Sequence, residues 1–313
     1  MLPIIEVPVD AAELFEQLGT KEKFWYADEQ RRRWLFKRGR PGTGENWAEK
    51  LACELASALG IPHAYYELAR CGDDYGVVSP SFVPRGGRLV HGNEIFSKTR
   101  LYQEMAHANP YRSRAHTIRL FAAFLKLCSE ESKDFLPPSD FVSFEHVASI
   151  ADVMVGYLML DAWIGNQDRH DQNWGLLIDP AVAEKLFLAP SFDHGSSFGR
   201  NLTDEVCGEL LTTRDMQRHI SAFVAKARSG LYPGDATLRS KSLLTTEAFV
   251  YLAKMWPDAA RAWLDRLRAI GTRQIASTVS LLPDEFVTAV RRDFLVTFLT
   301  LNRQRLLALE SGL

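Results

Sequence analysis

The polar stretch Asn166–Asn173, N-Q-D-R-H-D-Q-N, constrains this chain more than any other segment, because it interrupts what is otherwise core. Val153–Ile164 before it is broken only by Asp161, and Trp174–Ile178 after it is again apolar. Asp, Asn, His and Gly also build ordinary turns, since Asn and Asp tolerate turn geometry and Gly supplies positive φ. A polar cluster wedged between two buried elements is a different case, a loop held by a rigid scaffold, where binding and reacting groups concentrate. A second polar cluster, S-F-D-H-G at Ser191–Gly195, follows an apolar hairpin-like stretch.

Asp168 precedes the carboxamide of Asn173 by five positions, and Asp193 lies beyond the hairpin. Phosphoryl transfer needs such a set: one carboxylate to accept or orient the proton of an attacking hydroxyl, with an amide oxygen and a second carboxylate to hold a divalent metal on the phosphates. Asp171 competes for the role of base, but only Asp168 has the five-residue interval to Asn173. His170 either contacts phosphate or braces the loop, and Arg169 is placed to neutralise Asp168, Asp171 and Asp193. Lys37 closes the strand W-L-F-K, where alternate residues share a face, so it lies with Leu35 and opposite Trp34 and Phe36. A lysine on the inner face of a strand, just before a loop and a long helix, can contact a nucleotide's phosphates. The helix offers Glu49 and Glu54 to orient that lysine. Glu49, nearer a loop that can fold toward a cleft, is the preferred of the two, although either could be a solvated surface glutamate.

With 313 residues the chain can form two lobes around a large core. Its 46% apolar and 24% charged content is that of a soluble globular protein. A net charge of −2 gives no global reason to expect nucleic acid or an anionic membrane. The run Arg31–Arg40 interleaves arginines with aromatics, as some nucleic-acid sites do. A charged hairpin turn beside a nucleotide cleft explains it as well, and direct nucleic-acid binding is not expected. Cys53, Cys71, Cys128 and Cys207 lie far apart, which disfavours a zinc site or a disulfide framework and points to a reducing, cytoplasmic compartment. The N-terminus reads as neither a secretory signal nor a transit peptide, and the longest apolar run is too short to span a bilayer.

Periodicity predicts a short helix over Asp10–Leu18, strands at Phe24–Tyr26 and Trp34–Lys37, and a helix over Glu45–Leu59 stopped by Gly60 and Pro62. Strands at Ala64–Leu68 and Tyr75–Pro84 complete a β-β-α-β-β order. Beyond Pro84 helical patterns dominate: Arg114–Leu127, His146–Leu160, Thr245–Met255, Ala259–Ile270 and Glu285–Leu309, the last opened by Pro283. Two short strands, around Gly175–Ile178 and Lys185–Leu188, must bring Asn173 and Asp193 together. The expected fold is α+β and two-lobed, with a small β-rich N-lobe over residues 1–84 and a larger, mostly helical C-lobe over residues 85–313.

The set L-F-K, the helix E-x-W-x-E-K-x-x-x-E-L-A ending in L-G-I-P, then G-N-Q-D-R-H-D-Q-N and L-A-P-S-F-D-H-G, resembles the HipA-like serine/threonine kinases. It is more distantly similar to the phosphoinositide kinases, whose loop likewise reads D-R-H-x-x-N. The resemblance spans about Gly19 to Arg305. It implies ATP and Mg2+ as cofactors, Asp168 as base, Asn173 and Asp193 as magnesium ligands, Lys37 on the phosphates, and Ser81, Phe82 and Val83 as the hinge against which adenine lies. No G-x-G-x-x-G is present, so the phosphate cradle would be Gly19, Thr20, Lys21, Glu22 and Lys23. Lys37 arrives early, as in short toxin-type members in which a separate small antitoxin-like protein provides an N-terminal subdomain. The implied substrate is a protein, with a translation enzyme as one candidate. The resemblance also raises autophosphorylation at Thr20 in the phosphate loop, and Ser196 and Ser197, where an activation loop would lie, are candidate acceptors by position alone. A small-molecule or lipid kinase and a non-catalytic pseudokinase are the alternatives, and the second is disfavoured because the Lys, Asp, Asn and metal-binding Asp are all present.

Overall fold

The helix α1 spans Glu45–Leu59, the bounds that its apolar stripe and the Gly60–Pro62 stop predict. It packs Trp47, Leu51, Leu55 and Leu59 into the main core. The computed structural model describes residues 1–11, 14–15, 22–99, 102–103, 113–131, 134–237 and 239–313. Around α1 the strands β1 (Ile4–Glu6), β2 (Leu14–Phe15), β3 (Lys23–Ala27), β4 (Arg33–Arg38), β5 (Glu67–Cys71) and β6 (Asp74–Pro80) form one sheet in the order β1-β5-β6-β4-β3-β2. Pairing is antiparallel except for β1 on β5. The period of two divides the sheet. Tyr26, Phe36, Ala69 and Val78 join Val7 in a small cluster on one face, while Lys37, directly opposite Lys23 and Val77, points to the other.

The second sheet is made of β7 (Arg88–His91), β8 (Phe135–Leu136), β9 (Gly175–Ile178) and β10 (Leu186–Leu188), in the order β7-β9-β10-β8. Described helices of this half are α2 (Gly92–Phe96), α3 (Ile118–Lys126), α4 (Ile150–Ile164), α5 (Asp204–Thr212), α6 (Ile220–Val224), α7 (Thr245–Met255), α8 (Pro257–Ala269), α9 (Thr272–Ser280) and α10 (Ala289–Ala308). Every residue of α4 except Asp152 is buried, as expected of a helix that is apolar all round. The protein is therefore α+β and two-lobed, with a β-rich small lobe and a mostly helical large one.

Several expected bounds shift for local reasons. Of the helix expected over Asp10–Leu18, only residues 10–11 and 14–15 are described, and Leu14–Phe15 is a strand on β3. The strand expected from Ala64 begins at Glu67, because the Ala64 amide donates to the Ser191 carbonyl at 2.8 Å. Hydroxyl caps at Thr117 and Ser149 start α3 and α4 later than periodicity suggested. The last helix starts at Ala289, capped by Thr288, and not at Glu285. Pro283 instead forms a turn whose carbonyl accepts from the amides of Phe286 and Val287.

Candidate active site

A cavity of about 500 Å³ lies between the two sheets. From β3 and β4 it is lined by Lys23, Trp25, Leu35 and Lys37, and below by Asp168, His170, Asn173 and Asp193, with Ser81, Phe82 and Val83 also on its wall. The Lys37 ammonium donates to Glu49 Oε1 at 3.0 Å, to the Tyr66 hydroxyl at 3.2 Å and to Asp193 Oδ1 at 3.4 Å. Burial alone would lower its pKa, but the Asp193 and Glu49 carboxylates outweigh it and hold the group well above the ordinary lysine value, so it remains a cation. Glu49 spans two segments: its Oε2 accepts from the His194 amide at 2.8 Å. Glu54 faces elsewhere and pairs with Lys50 at 2.7 Å.

α4 ends at Gly165, whose φ of 64° is a left-handed cap that favours glycine, and a Cβ there would lie 2.7 Å from Phe298. The chain then turns into the polar loop. Asn166 Oδ1 accepts from the Asp168 amide at 3.1 Å, and Asn173 Nδ2 donates to the Asp168 carbonyl at 2.8 Å. The second bond occupies the nitrogen end of the carboxamide and turns its oxygen the other way. The Asp168 carboxylate accepts from Ser196 Oγ at 3.2 Å, and His170 Nε2 stands 3.5 Å from it. Asp193 itself sits at φ 58° with its side chain 36% exposed.

Three comparisons with known proteins bear on this arrangement. No protein-family model matches the sequence, and a search of curated proteins finds no significant match. Among solved structures, the Helicobacter pylori proinflammatory kinase CtkA superposes with a TM-score of 0.73 at 17% identity, over 99% of this chain and 97% of that one. The HipA–HipB toxin–antitoxin system of Shewanella oneidensis MR-1 with its operator DNA provides a match with a TM-score of 0.52 at 10% identity, over 94% of this chain and 65% of that one. The fold is similar to that of CtkA and HipA.

Within this fold, Arg169 has as its direct partner none of the three carboxylates that its sequence position suggested, although the Asp193 charge contributes to raising its pKa. It is 1% exposed and makes a two-pronged contact with Asp161, at 2.7 and 2.8 Å, while also donating to the Asn173 carbonyl and Ser191 Oγ, both at 2.8 Å. Asp161 also accepts from Asn166 Nδ2 at 2.8 Å. Sequence reasoning missed this pairing, although its signal was present: Asp161 is the one charge in the apolar run 153–164. Asp171 is buried and accepts from the Tyr102 hydroxyl. Burial opposes its ionised form, but His170, His116 and Tyr102 outweigh that and lower its pKa. Burial and the Arg169 cation push His194 well below its ordinary value, so this ring is neutral.

Of the expected phosphate cradle, Gly19, Thr20 and Lys21 lie outside the described residues, and Glu22 is not on the cavity wall, its carboxylate accepting from Arg38 at 2.6 Å. Lys23 does line the cavity. The arginine run is largely engaged within the chain: Arg32 with Asp28, Arg33 over the Trp25 ring, Arg38 with Glu22 and Asp74, and Arg40 with Glu45. Of the serines after Asp193, Ser197 is fully buried and Ser196 nearly so, which places neither on an open loop. No described helix is long and apolar enough to cross a membrane.

The segment around Gly230 backs the polar loop. A Cβ at Gly230 would fall 2.5 Å from the His170 amide nitrogen and 2.6 Å from the Arg169 carbonyl carbon. Gly230→Ala is therefore expected to destabilise the chain by about 1–3 kcal/mol through overpacking. An unchanged urea midpoint would show that the loop moves aside at no cost.

Proposed function

We propose that this chain is an ATP- and Mg2+-dependent serine/threonine protein kinase of the HipA-like type, with residues 1–84 as N-lobe and 85–313 as C-lobe. The observation that carries the reading is the convergence of Lys37, Asp168, Asn173 and Asp193 on one cavity, whose volume suits a nucleotide-sized ligand. In this reading the nucleotide's adenine lies against Ser81, Phe82 and Val83, and Lys37, held by Glu49, meets its phosphates. Among the described residues no group of three or more His, Cys, Asp or Glu could hold a metal by itself. The oxygens of Asn173 and Asp193 suit magnesium, which is held by few protein groups together with substrate phosphates and spreads the charge that develops during transfer.

The acceptor hydroxyl's oxygen attacks the γ-phosphorus and forms one P–O bond. The bond to the β,γ-bridging oxygen breaks, its electron pair leaves with ADP, and the hydroxyl proton passes to Asp168. The enzyme's share is mainly positioning and electrostatics. In this proposal the acceptor is a protein, with a translation enzyme as one candidate, autophosphorylation as a side activity and a small antitoxin-like protein as partner. Incubating the purified chain with labelled ATP and cell extract, beside lipid and small-molecule acceptors, tests it. Label in protein supports the proposal, and label only in lipid or small molecules overturns the acceptor class.

Replacing Asn173 or Asp193 with Ala should weaken nucleotide binding in magnesium at least about tenfold, with much less effect in chelator. Equal losses by calorimetry in both conditions would assign these residues a structural role.

A further inference from the structure

We infer that Ser196 is a positioning residue for Asp168, keying the candidate base to the Asp193 segment, and this rests on the kinase reading above. Ser196 is 8% exposed, and its Oγ lies 3.2 Å from Asp168 Oδ2. Its placement is set from several sides. The His194 amide is held by Glu49, the Ser196 carbonyl accepts from the Gln167 amide at 3.2 Å, and the Phe198 amide donates to the Ile164 carbonyl at 2.9 Å. Phe198 is itself fully buried, with its ring beside Trp47 and Phe298. Residues 196–198 are thus laced to Ile164 and Gln167 by main-chain bonds, which hold the Ser196 backbone beside Asp168.

A carboxylate that must receive a proton from a substrate hydroxyl has two oxygens and a rotatable Cβ–Cγ bond. Donation by Ser196 to Oδ2, with His170 Nε2 3.5 Å from Oδ1, fixes the plane of that carboxylate and so the direction from which it meets a substrate hydroxyl. The same tie links the base to Asp193, which Lys37 contacts three residues earlier in the chain. A displacement of the Asp193 segment would therefore turn the Asp168 carboxylate as well. Ser196 touches neither phosphate nor acceptor in this account. It acts through Asp168.

The test is a double-mutant cycle read by transfer of label from ATP. Ser196→Ala should lower kcat at least about tenfold, the loss expected for one hydrogen bond to a charged group, with the KM for ATP and the urea midpoint unchanged. In the Asp168→Asn background the same change should cost nothing further, because the group being positioned no longer accepts a proton. Equal losses in both backgrounds, or a raised KM, would mean that Ser196 acts elsewhere. Phosphate found on Ser196 by peptide mapping would make it an acceptor and overturn the assignment. A wild-type rate that Ser196→Ala leaves within about twofold would sink the Ser196 role alone. Absence of transfer by the wild-type chain would remove the kinase reading and the Ser196 role with it.

Discussion

Asp168→Asn is expected to leave the chain folded and to slow phosphoryl transfer at least about a hundredfold, the lower range for a positioned base. The fold should survive because the loop is tied through the main chain of residue 168. Its amide donates to Asn166 Oδ1 and its carbonyl accepts from Asn173 Nδ2, and neither bond involves the side chain being replaced. The asparagine is nearly isosteric, and its amide oxygen can still accept from Ser196. It cannot take up the proton of an attacking hydroxyl. Transfer of labelled phosphate and urea unfolding, measured on the same preparation, separate the two effects. A folded variant with near-wild-type turnover would remove Asp168 from the role of base and leave Asp171 poorly placed to inherit it, since that carboxylate is buried against Tyr102.

What was legible in the sequence was mostly local. α1 has the predicted bounds because an apolar stripe of period 3.6 and a glycine–proline stop are properties of neighbouring residues. The face of Lys37 followed from strand parity alone, and Lys37 does line the cavity with Leu35. The polar loop was legible because its composition breaks sharply from its flanks. What was hidden depends on residues far apart in the chain. The pairing of β1 with β5 and the two-residue strand β8 carry no periodic signal of their own, since their length is set by their partners. The preference for Glu49 over Glu54 rested on a position near a loop, whereas in the structure Glu49 reaches both the Lys37 ammonium and the His194 amide, 145 residues away, and Glu54 pairs with Lys50. For Arg169, the direct partner Asp161 was missed for the same reason. Its sequence neighbours are Asp168 and Asp171, but its guanidinium is turned inward to α4.

Replacing Asp161 with Ala is expected to destabilise the protein by about 3–5 kcal/mol, because it strands the Arg169 cation in the core. Both side chains are essentially excluded from water, at 2% and 1% exposure. Burial alone would lower the pKa of Arg169, and it is the Asp161 carboxylate that raises it instead. Against a total stability of about 5–15 kcal/mol for a typical domain, this is a loss that urea unfolding reads directly. A midpoint close to wild type would mean that water reaches the vacated site and solvates the guanidinium. The joint replacement Asp161→Leu with Arg169→Met removes both charges and should recover much of the stability, since an apolar pair of similar volume often matches a buried ion pair. It should not recover transfer. With the pair go the bonds to Asn166 Nδ2, the Asn173 carbonyl and Ser191 Oγ, which are what hold both ends of the polar loop against α4 and the Asp193 segment. A stable double variant slowed by about tenfold or more would identify the pair as the loop's positioning device. The same variant at the wild-type rate would show that the ion pair serves stability alone.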